Sequence, residues 1–284
     1  MEPEPALETR VWDAVLLGAG SGIRFNSKRS LPGDRDFPKQ FWKMGKLPVY
    51  LHALQALLEM RCFRQIVVAV PKQYVSLTEK QTQELLPLHQ YSTKILVAAG
   101  GDSRQESSRL ALLALESAKA NELPSRVLIH DACRPLLSPA FRRRIQQQLD
   151  NRAYAAWIPV TPIVDTLKEV ENQEVKGSVD RDVIHRVQTP QVFEYAVIRS
   201  LMEKISNEMV AGDPLSLHFT DDASLCEHFG IPVGVFEGDA RNIKLTYEFE
   251  LEPLKLMLQN LKDEEEGEPC VPESDTTSTV LSQP

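Results

Sequence analysis

An α/β fold on a mostly parallel sheet is the class this sequence predicts, and three observations carry the expectation. Short apolar runs alternate with longer stretches of helical periodicity, the pattern of successive βαβ units. No run approaches membrane-spanning length. The chain has 284 residues and 42% hydrophobic side chains, enough for a sizeable core. Setting aside both termini leaves roughly 250 residues, which fits one large domain or two small ones.

The candidate strands, in order, are 14–17, 66–70, 94–98, 127–130, 155–159 and 233–236. Each is a short Val/Ile/Leu/Ala-rich run of the kind buried on both faces of a parallel sheet. Between them, 49–60 reads as an amphipathic helix with Leu51, Leu54, Leu57 and Leu58 on one side. Leu110, Leu113 and Ala114 do the same for a helix over 104–120. Segments 141–149 and 195–205 read as helices as well, and 247–261 closes the fold. Thr220-Asp221-Asp222-Ala223 has the form of a helix N-terminus, with Thr220 or Asp221 as the cap. One folded unit is therefore expected over 11–262, followed by a disordered acidic tail over 263–284.

One segment breaks the alternation. Residues 166–170 and 175–179, joined by Glu171-Asn172-Gln173, read as a β-hairpin within an arm over about 163–182. A hairpin with little core of its own is either an arm that packs on a second subunit or a solvated surface element.

Composition excludes several classes. The formal charge of −8, with no Lys/Arg run, argues against a nucleic-acid partner. Cys62, Cys133, Cys226 and Cys270 are far apart and form no zinc pattern, as expected in a reducing compartment. The N-terminal Met1-Glu2-Pro3-Glu4-Pro5 is neither a signal peptide nor an Arg/Ser-rich transit peptide. The expectation is a cytoplasmic protein of bacterial type with no membrane partner, or a plastid stromal one if a transit peptide has been removed.

The polar clusters fall at the carboxyl ends of the predicted strands, where ligands of doubly wound folds sit. After the first comes Gly18-Ala19-Gly20-Ser21-Gly22-Ile23-Arg24, with Pro38-Lys39-Gln40 beyond it. Glycines admit a phosphate chain close to backbone N–H groups, and Arg24 and Lys39 supply charge for phosphoryl transfer. The stretch is neither a P-loop nor a dinucleotide fingerprint, since Gly-Lys-Ser/Thr is missing and Ile23 stands where a glycine would be needed. After the third strand comes Gly100-Gly101-Asp102-Ser103-Arg104-Gln105-Glu106-Ser107, where two glycines admit a flat base and Asp102 or Ser107 reads its edge. After the fourth comes His130-Asp131-Ala132-Cys133-Arg134-Pro135, with Asp131 the candidate ligand for Mg²⁺ or another divalent cation. Thr189-Pro190-Gln191 and Asn242-Ile243-Lys244 extend the set.

Taken in order, GAGSGIR–PKQ, GGDSRQESS, HDACRP, DTLKEV, DR, QTPQVF, TDDAS and NIKLT resemble the 2-C-methyl-D-erythritol 4-phosphate cytidylyltransferase family over roughly residues 12–261. The resemblance implies a Rossmann-like nucleotidyltransferase fold and a homodimer joined by the β-arm. It implies transfer of the cytidylyl group of CTP to methylerythritol 4-phosphate, with release of pyrophosphate, in the non-mevalonate route to isoprenoids. Carried over residue by residue, it puts Gly18 and Ala19 against the cytosine and wraps Gly20, Ser21 and Gly22 around the triphosphate. Arg24, Lys39 and Lys244 become the catalytic cations, and Gly101, Asp102 and Ser107 recognise the nucleoside. Asp131, also the metal residue, and Arg134 lie by the substrate phosphate region. Thr189 and Lys244 hold the sugar phosphate, while Thr166 and Arg181 reach from the arm into the neighbouring subunit's site.

Some positions depart from the family's pattern. Leu17-Gly18 replaces the usual Pro-Ala, Ile23 replaces a common second basic residue, and Cys133 replaces an alanine. The link over 25–38 is longer than usual, carries Lys28, Arg29 and Arg35, and resembles a mobile flap. The same glycine loop and Thr-Pro-Gln segment also fit a cytidylyltransferase for another polyol phosphate, such as ribitol 5-phosphate. A regulator that binds nucleotide without turnover is the third reading, and the α-phosphate cations argue against it.

Overall fold

The computed structural model describes residues 11–20, 38–117, 123–210 and 219–267. Its elements in chain order are β1 (Trp12–Leu17), β2 (Lys43–Met44), β3 (Leu47–Pro48), α1 (Val49–Glu59), β4 (Gln65–Val70), α2 (Val75–Leu85), β5 (Lys94–Ala99) and α3 (Arg104–Ser117). There follow β6 (Arg126–Asp131), α4 (Pro139–Asp150), β7 (Ala156–Pro162), β8 (Leu167–Glu171), β9 (Glu174–Val179), β10 (His185–Val187), β11 (Gln191–Glu194), α5 (Tyr195–Val210), α6 (Ala223–His228), β12 (Val233–Glu237) and α7 (Leu251–Gly267).

Among the described residues, the central sheet has eight strands. β5, β4, β1 and β6 run parallel in that spatial order, the doubly wound arrangement. All six residues of β1, of β4 and of β6 are buried, as helices on both faces require. Alternate residues serve opposite faces. Ala14, Leu16, Ile66 and Val68 pack with Leu51, Leu54 and Leu57 of α1 and with Phe141 and Ile145 of α4. Val15, Leu17, Val67 and Ala69 pack with Ala111, Leu112 and Leu115 of α3 and with Ile198 and Leu201 of α5.

Beyond β6 the sheet becomes mixed. β11 pairs antiparallel with both β6 and β7, β10 pairs antiparallel with β7, and β12 lies parallel to β7. β10 and β11 have no counterpart among the expected strands. Each is only three or four residues long, and Pro190 stands between them, so neither shows a period. α2 was equally silent, because its only buried residues are Thr78 and Thr82 and there is no apolar stripe to read.

The hairpin is present as β8 and β9, paired antiparallel with each other and with no other described strand. Asn172 (φ 50°) and Gln173 (φ 68°) form its two-residue turn in the left-handed region, as a twisted hairpin demands. The closing helix extends to Gly267, five residues into the segment expected as tail. The Arg241–Glu264 ion pair at 3.0 Å ties this last stretch to the loop after β12. Residues 268–284, and residues 21–37 with the expected flap, lie outside the described residues.

Candidate active site

The order β4–β1–β6 creates a topological switch. The chain leaves β1 for β4 and β5, then returns to β6 on the other flank of β1, opening a crevice at the carboxyl ends of β1 and β6. Backbone bonds fix its rim: Gly18 N–H donates to Ala69 O (2.7 Å), Gly100 N–H to Val70 O (2.8 Å) and Ala132 N–H to Leu17 O (2.8 Å).

Gly18 is buried, Ala19 is half-buried and Gly20 is exposed at this rim. Gly100 has to be glycine, because a Cβ there would collide with the Ala19 Cβ and approach Ser107 Oγ to 2.9 Å. The first and third loops are therefore in contact. Ser107 is buried, where its hydroxyl accepts from Gly101 N–H (3.1 Å) and donates to Ser103 O (2.7 Å), and it shapes the loop from beneath. Asp102 is exposed at its tip. Ser21, Gly22 and Arg24 lie outside the described residues.

Lys39 opens a short 3₁₀ turn, Lys39–Phe41, that is anchored by its own sequence. Gln40 is 1% exposed and donates its side-chain amide to Gly18 O, while Phe41 packs edge-on to Tyr50 with ring centroids 5.3 Å apart. Lys39 is thereby held at the crevice together with Asp131, Lys244 and Cys133. Burial draws its ammonium below the usual lysine range; Lys244 adds to this, and Cys133 and Asp131 oppose it.

Asp131 is the centre of charge. Lys244 Nζ donates to Oδ2 at 2.7 Å, Arg134 Nε lies 3.9 Å from the same oxygen, and Arg104 Nε lies 3.5 Å from Oδ1. Burial alone would raise the carboxyl, yet Lys244, Arg104 and Arg134 hold it far below the carboxylate range. Lys244 comes from the loop after β12, which is pinned to the Asp131 loop by Leu245 N–H donating to Cys133 O (2.8 Å). Glu250 then accepts from Tyr247 N–H (2.8 Å) and fixes the turn into α7.

Beneath Asp131 the polar groups interlock. Asp131 N–H donates to Thr189 Oγ1 (3.1 Å), and the Thr189 hydroxyl donates to His130 Nδ1 (3.0 Å). His130 Nε2–H then donates to Arg134 O (2.9 Å), which sets the neutral tautomer. Burial pushes His130 down to about 4. Arg134 Nη1 donates to Asn242 O (2.7 Å), and Asn242 Nδ2 donates to Thr189 O (2.7 Å). The structure thus gives Thr189 a buried, bonded hydroxyl, and Arg134 a side chain only 13% exposed.

Thr166 and Arg181 are elsewhere. Both are exposed on the arm, line an open hollow of about 370 Å³, and Arg181 Nη1 donates to Val164 O (2.8 Å). Among the described residues, none of their hydrogen bonds or ion pairs reaches Lys39, Asp131 or Lys244.

Sequence reasoning missed Arg104, Asp222, Gln40 and Asn242. Arg104 did give a signal: an arginine in the first turn of a helix opposes the helix dipole and calls for a carboxylate partner. Its partner is Asp222, fully buried at the start of α6. The expected cap was Thr220 or Asp221; the N-cap position is instead Asp222, whose side chain makes no cap bond, while Asp221 Oδ1 accepts from Ser224 N–H (3.1 Å) one residue earlier in the chain.

Any divalent ion at this crevice must be held differently from a protein-caged one, since no cluster of three metal-ligating side chains occurs among the described residues. One ionised carboxylate at the crevice does fit an ion such as Mg²⁺, which takes one or two carboxylates and completes its shell with the phosphates of a bound substrate and water.

The site can be set beside known proteins. A family model described as 2-C-methyl-D-erythritol 4-phosphate cytidylyltransferase matches residues 13–260. A protein of that description from Bacteroides thetaiotaomicron is 31% identical over 237 residues, covering 84% of this chain and 94% of its own. One from Geobacillus thermodenitrificans is 34% identical over 239 residues, covering 83% and 91%. Among solved structures, the 4-diphosphocytidyl-2C-methyl-D-erythritol synthase of Anaerococcus prevotii superposes with a TM-score of 0.68 at 23% identity, covering 88% of this chain and 99% of its own, a likeness of fold. The Francisella tularensis 2-C-methyl-D-erythritol 4-phosphate cytidylyltransferase gives 0.65 at 26% identity, covering 87% and 99%. With its Rossmann-like sheet and the match spanning nearly the whole folded part, the chain belongs to the 2-C-methyl-D-erythritol 4-phosphate cytidylyltransferase family, whose reaction is CTP-dependent cytidylyl transfer in the methylerythritol phosphate pathway to isoprenoids.

Proposed function

We propose that the β1/β6 crevice carries out this transfer with Lys39, Lys244 and Asp131 as its working charges and Arg24 joining them from outside the described residues. The supporting observation is Lys244, from the far end of the chain, bonded to the Asp131 carboxylate at 2.7 Å, with Lys39 close enough to feel the charge of both. CTP enters over Gly18, Ala19 and Gly20, with Ser21 and Gly22 continuing the wrap. Gly101 and Asp102 face the base, and Ser107 keeps Gly101's amide in place.

The attacking group is a phosphomonoester oxygen of methylerythritol 4-phosphate. Its second pKa is about 6, so it is ionised near neutral pH and needs no general base. This oxygen forms a bond to the α-phosphorus of CTP, and the bond from that phosphorus to the pyrophosphate oxygen breaks. Positioning and fixed charge do the remaining work. Lys39 and Lys244 neutralise the crowded phosphates, while Arg134 and the Thr189–His130 link keep Asp131 aimed at them. Asp131 would hold Mg²⁺ or another divalent ion, which masks triphosphate charge when bound.

The arm completes the site in trans. Val164, Val170, Val175 and Val183 are between 59 and 77% exposed on and beside a hairpin that pairs with no other described strand, an apolar surface suited to a second copy. We read the protein as a cytoplasmic homodimer in which Thr166 and Arg181 bind the substrate phosphate of the neighbouring subunit.

Mixing two inactive variants tests this reading. Lys39→Ala and Arg181→Ala should each lose about a hundredfold or more in turnover at low substrate. Unfolded and refolded together in equal amounts, they should regain about a quarter of wild-type activity, because half the dimers then contain one intact site. A mixture no more active than its components contradicts an arm that serves its neighbour.

A further inference from the structure

The geometry points to Asp222 as a positioning residue that keeps Arg104 from closing on Asp131 as a fork and so leaves Asp131 Oδ1, the oxygen not bonded to Lys244, to the divalent ion; this rests on Asp131 as the metal residue. Asp222 is fully buried at the start of α6 and faces a different nitrogen of Arg104 from the one the crevice carboxylate faces. It lies 2.7 Å from Arg104 Nη1, whereas Arg104 Nε lies 3.5 Å from Asp131 Oδ1. Asp222 therefore holds the closer share of the guanidinium.

Two details show how the balance is kept. Ser108 Oγ donates to Asp222 Oδ1 at 2.8 Å and fixes the carboxylate, while Gln191 ties the neighbouring Asp221 and Ala223 to β11 through 2.7 and 3.3 Å bonds. Arg104 Nη1 and Asp222 Oδ2 thus form a close buried ion pair at 2.7 Å. Arginine and carboxylate planes readily form a bidentate fork. Without the Asp222 charge, Arg104 closes on Asp131 as such a fork and competes with any cation for it.

The test is Mn²⁺ binding, followed by the paramagnetic resonance of free Mn²⁺ as full-length enzyme with a non-hydrolysable CTP analogue is titrated. Asp222→Asn should weaken Mn²⁺ binding about tenfold or more, the usual scale for an outer partner of a metal residue. Asp131→Asn should abolish the Asp131-dependent part. The double variant Arg104→Gln/Asp222→Asn removes both members of the buried pair and leaves no uncompensated charge, so it guards against a single variant that fails to fold. It should bind Mn²⁺ at least as tightly as wild type. Unchanged affinity in a folded Asp222→Asn overturns the relay, and so does a double variant tenfold weaker than wild type, which would make Arg104 a helper. Asp131→Asn binding Mn²⁺ like wild type would overturn the metal assignment, and the relay with it.

Discussion

Asp131 accepts three cations because its backbone is held by a neutral histidine network. His130 has to remain uncharged for Thr189 to donate to its Nδ1 while Nε2–H donates to Arg134 O. His52 is a second such group, bonded to Met44 O at 2.7 Å and likewise lowered by burial. In the unfolded chain histidine titrates near 6.5, whereas folded His130 titrates at about 4. The stability owed to these groups is therefore complete above pH 6.5 and is lost as pH falls from there toward 4, where only the unfolded state takes up protons. His130 alone contributes about 3 kcal/mol across that window. Denaturant unfolding at half-unit pH steps should show the decline, and a flat profile would contradict a neutral buried His130. Lys39, Asp131, Arg134 and Lys244 were legible in the sequence because isolated cations and carboxylates at strand ends and in loops stand out, whereas the buried pair Arg104 and Asp222 was not. The network under them was not, because His130, Gln40 and Asn242 act through long-range partners that no local pattern encodes.

At the scale of elements, the two glycine loops form one surface because Gly100 lets Ala19 lie against it. Gly100→Ala places a methyl on Ala19 and 2.9 Å from Ser107 Oγ, and overpacking of this kind costs about 1–3 kcal/mol. The KM for CTP should rise about tenfold or more while kcat moves less, a split that initial-rate kinetics reads directly. Equal KM values for the two proteins would remove this contact from nucleotide binding. The parallel strands were legible to within one or two residues at most ends, since burial on both faces writes continuous apolar runs. β7 was the exception, running to Pro162 through Thr161. The antiparallel flank was hidden, because β10 and β11 draw their stability from pairing with β7 and β6 rather than from their own composition. The hairpin was legible as the one break in the strand–helix alternation, although its turn is the two residues Asn172-Gln173 rather than the expected Glu171-Asn172-Gln173.

For the whole molecule, strand order explains why residues so far apart in the chain meet. The switch between β1 and β6 gathers the loops of Gly18, Lys39 and Asp131, and the loop after β12 returns across them to deliver Lys244. Among the described residues, no helix is long and apolar enough to cross a membrane. The negative charge read from composition is partly local, with Asp263, Glu264, Glu265 and Glu266 on the last helix and Glu268 beyond it, and the crevice itself is rich in cations. That contrast suits a site that draws in two anionic substrates. The direct measurement is pyrophosphate release from CTP and Mg²⁺, with methylerythritol 4-phosphate and ribitol 5-phosphate offered in parallel to wild type and to Lys39→Ala. The account predicts turnover with methylerythritol 4-phosphate alone, reduced about a hundredfold by the substitution. Turnover with ribitol 5-phosphate, or an undiminished rate without Lys39, would contradict it.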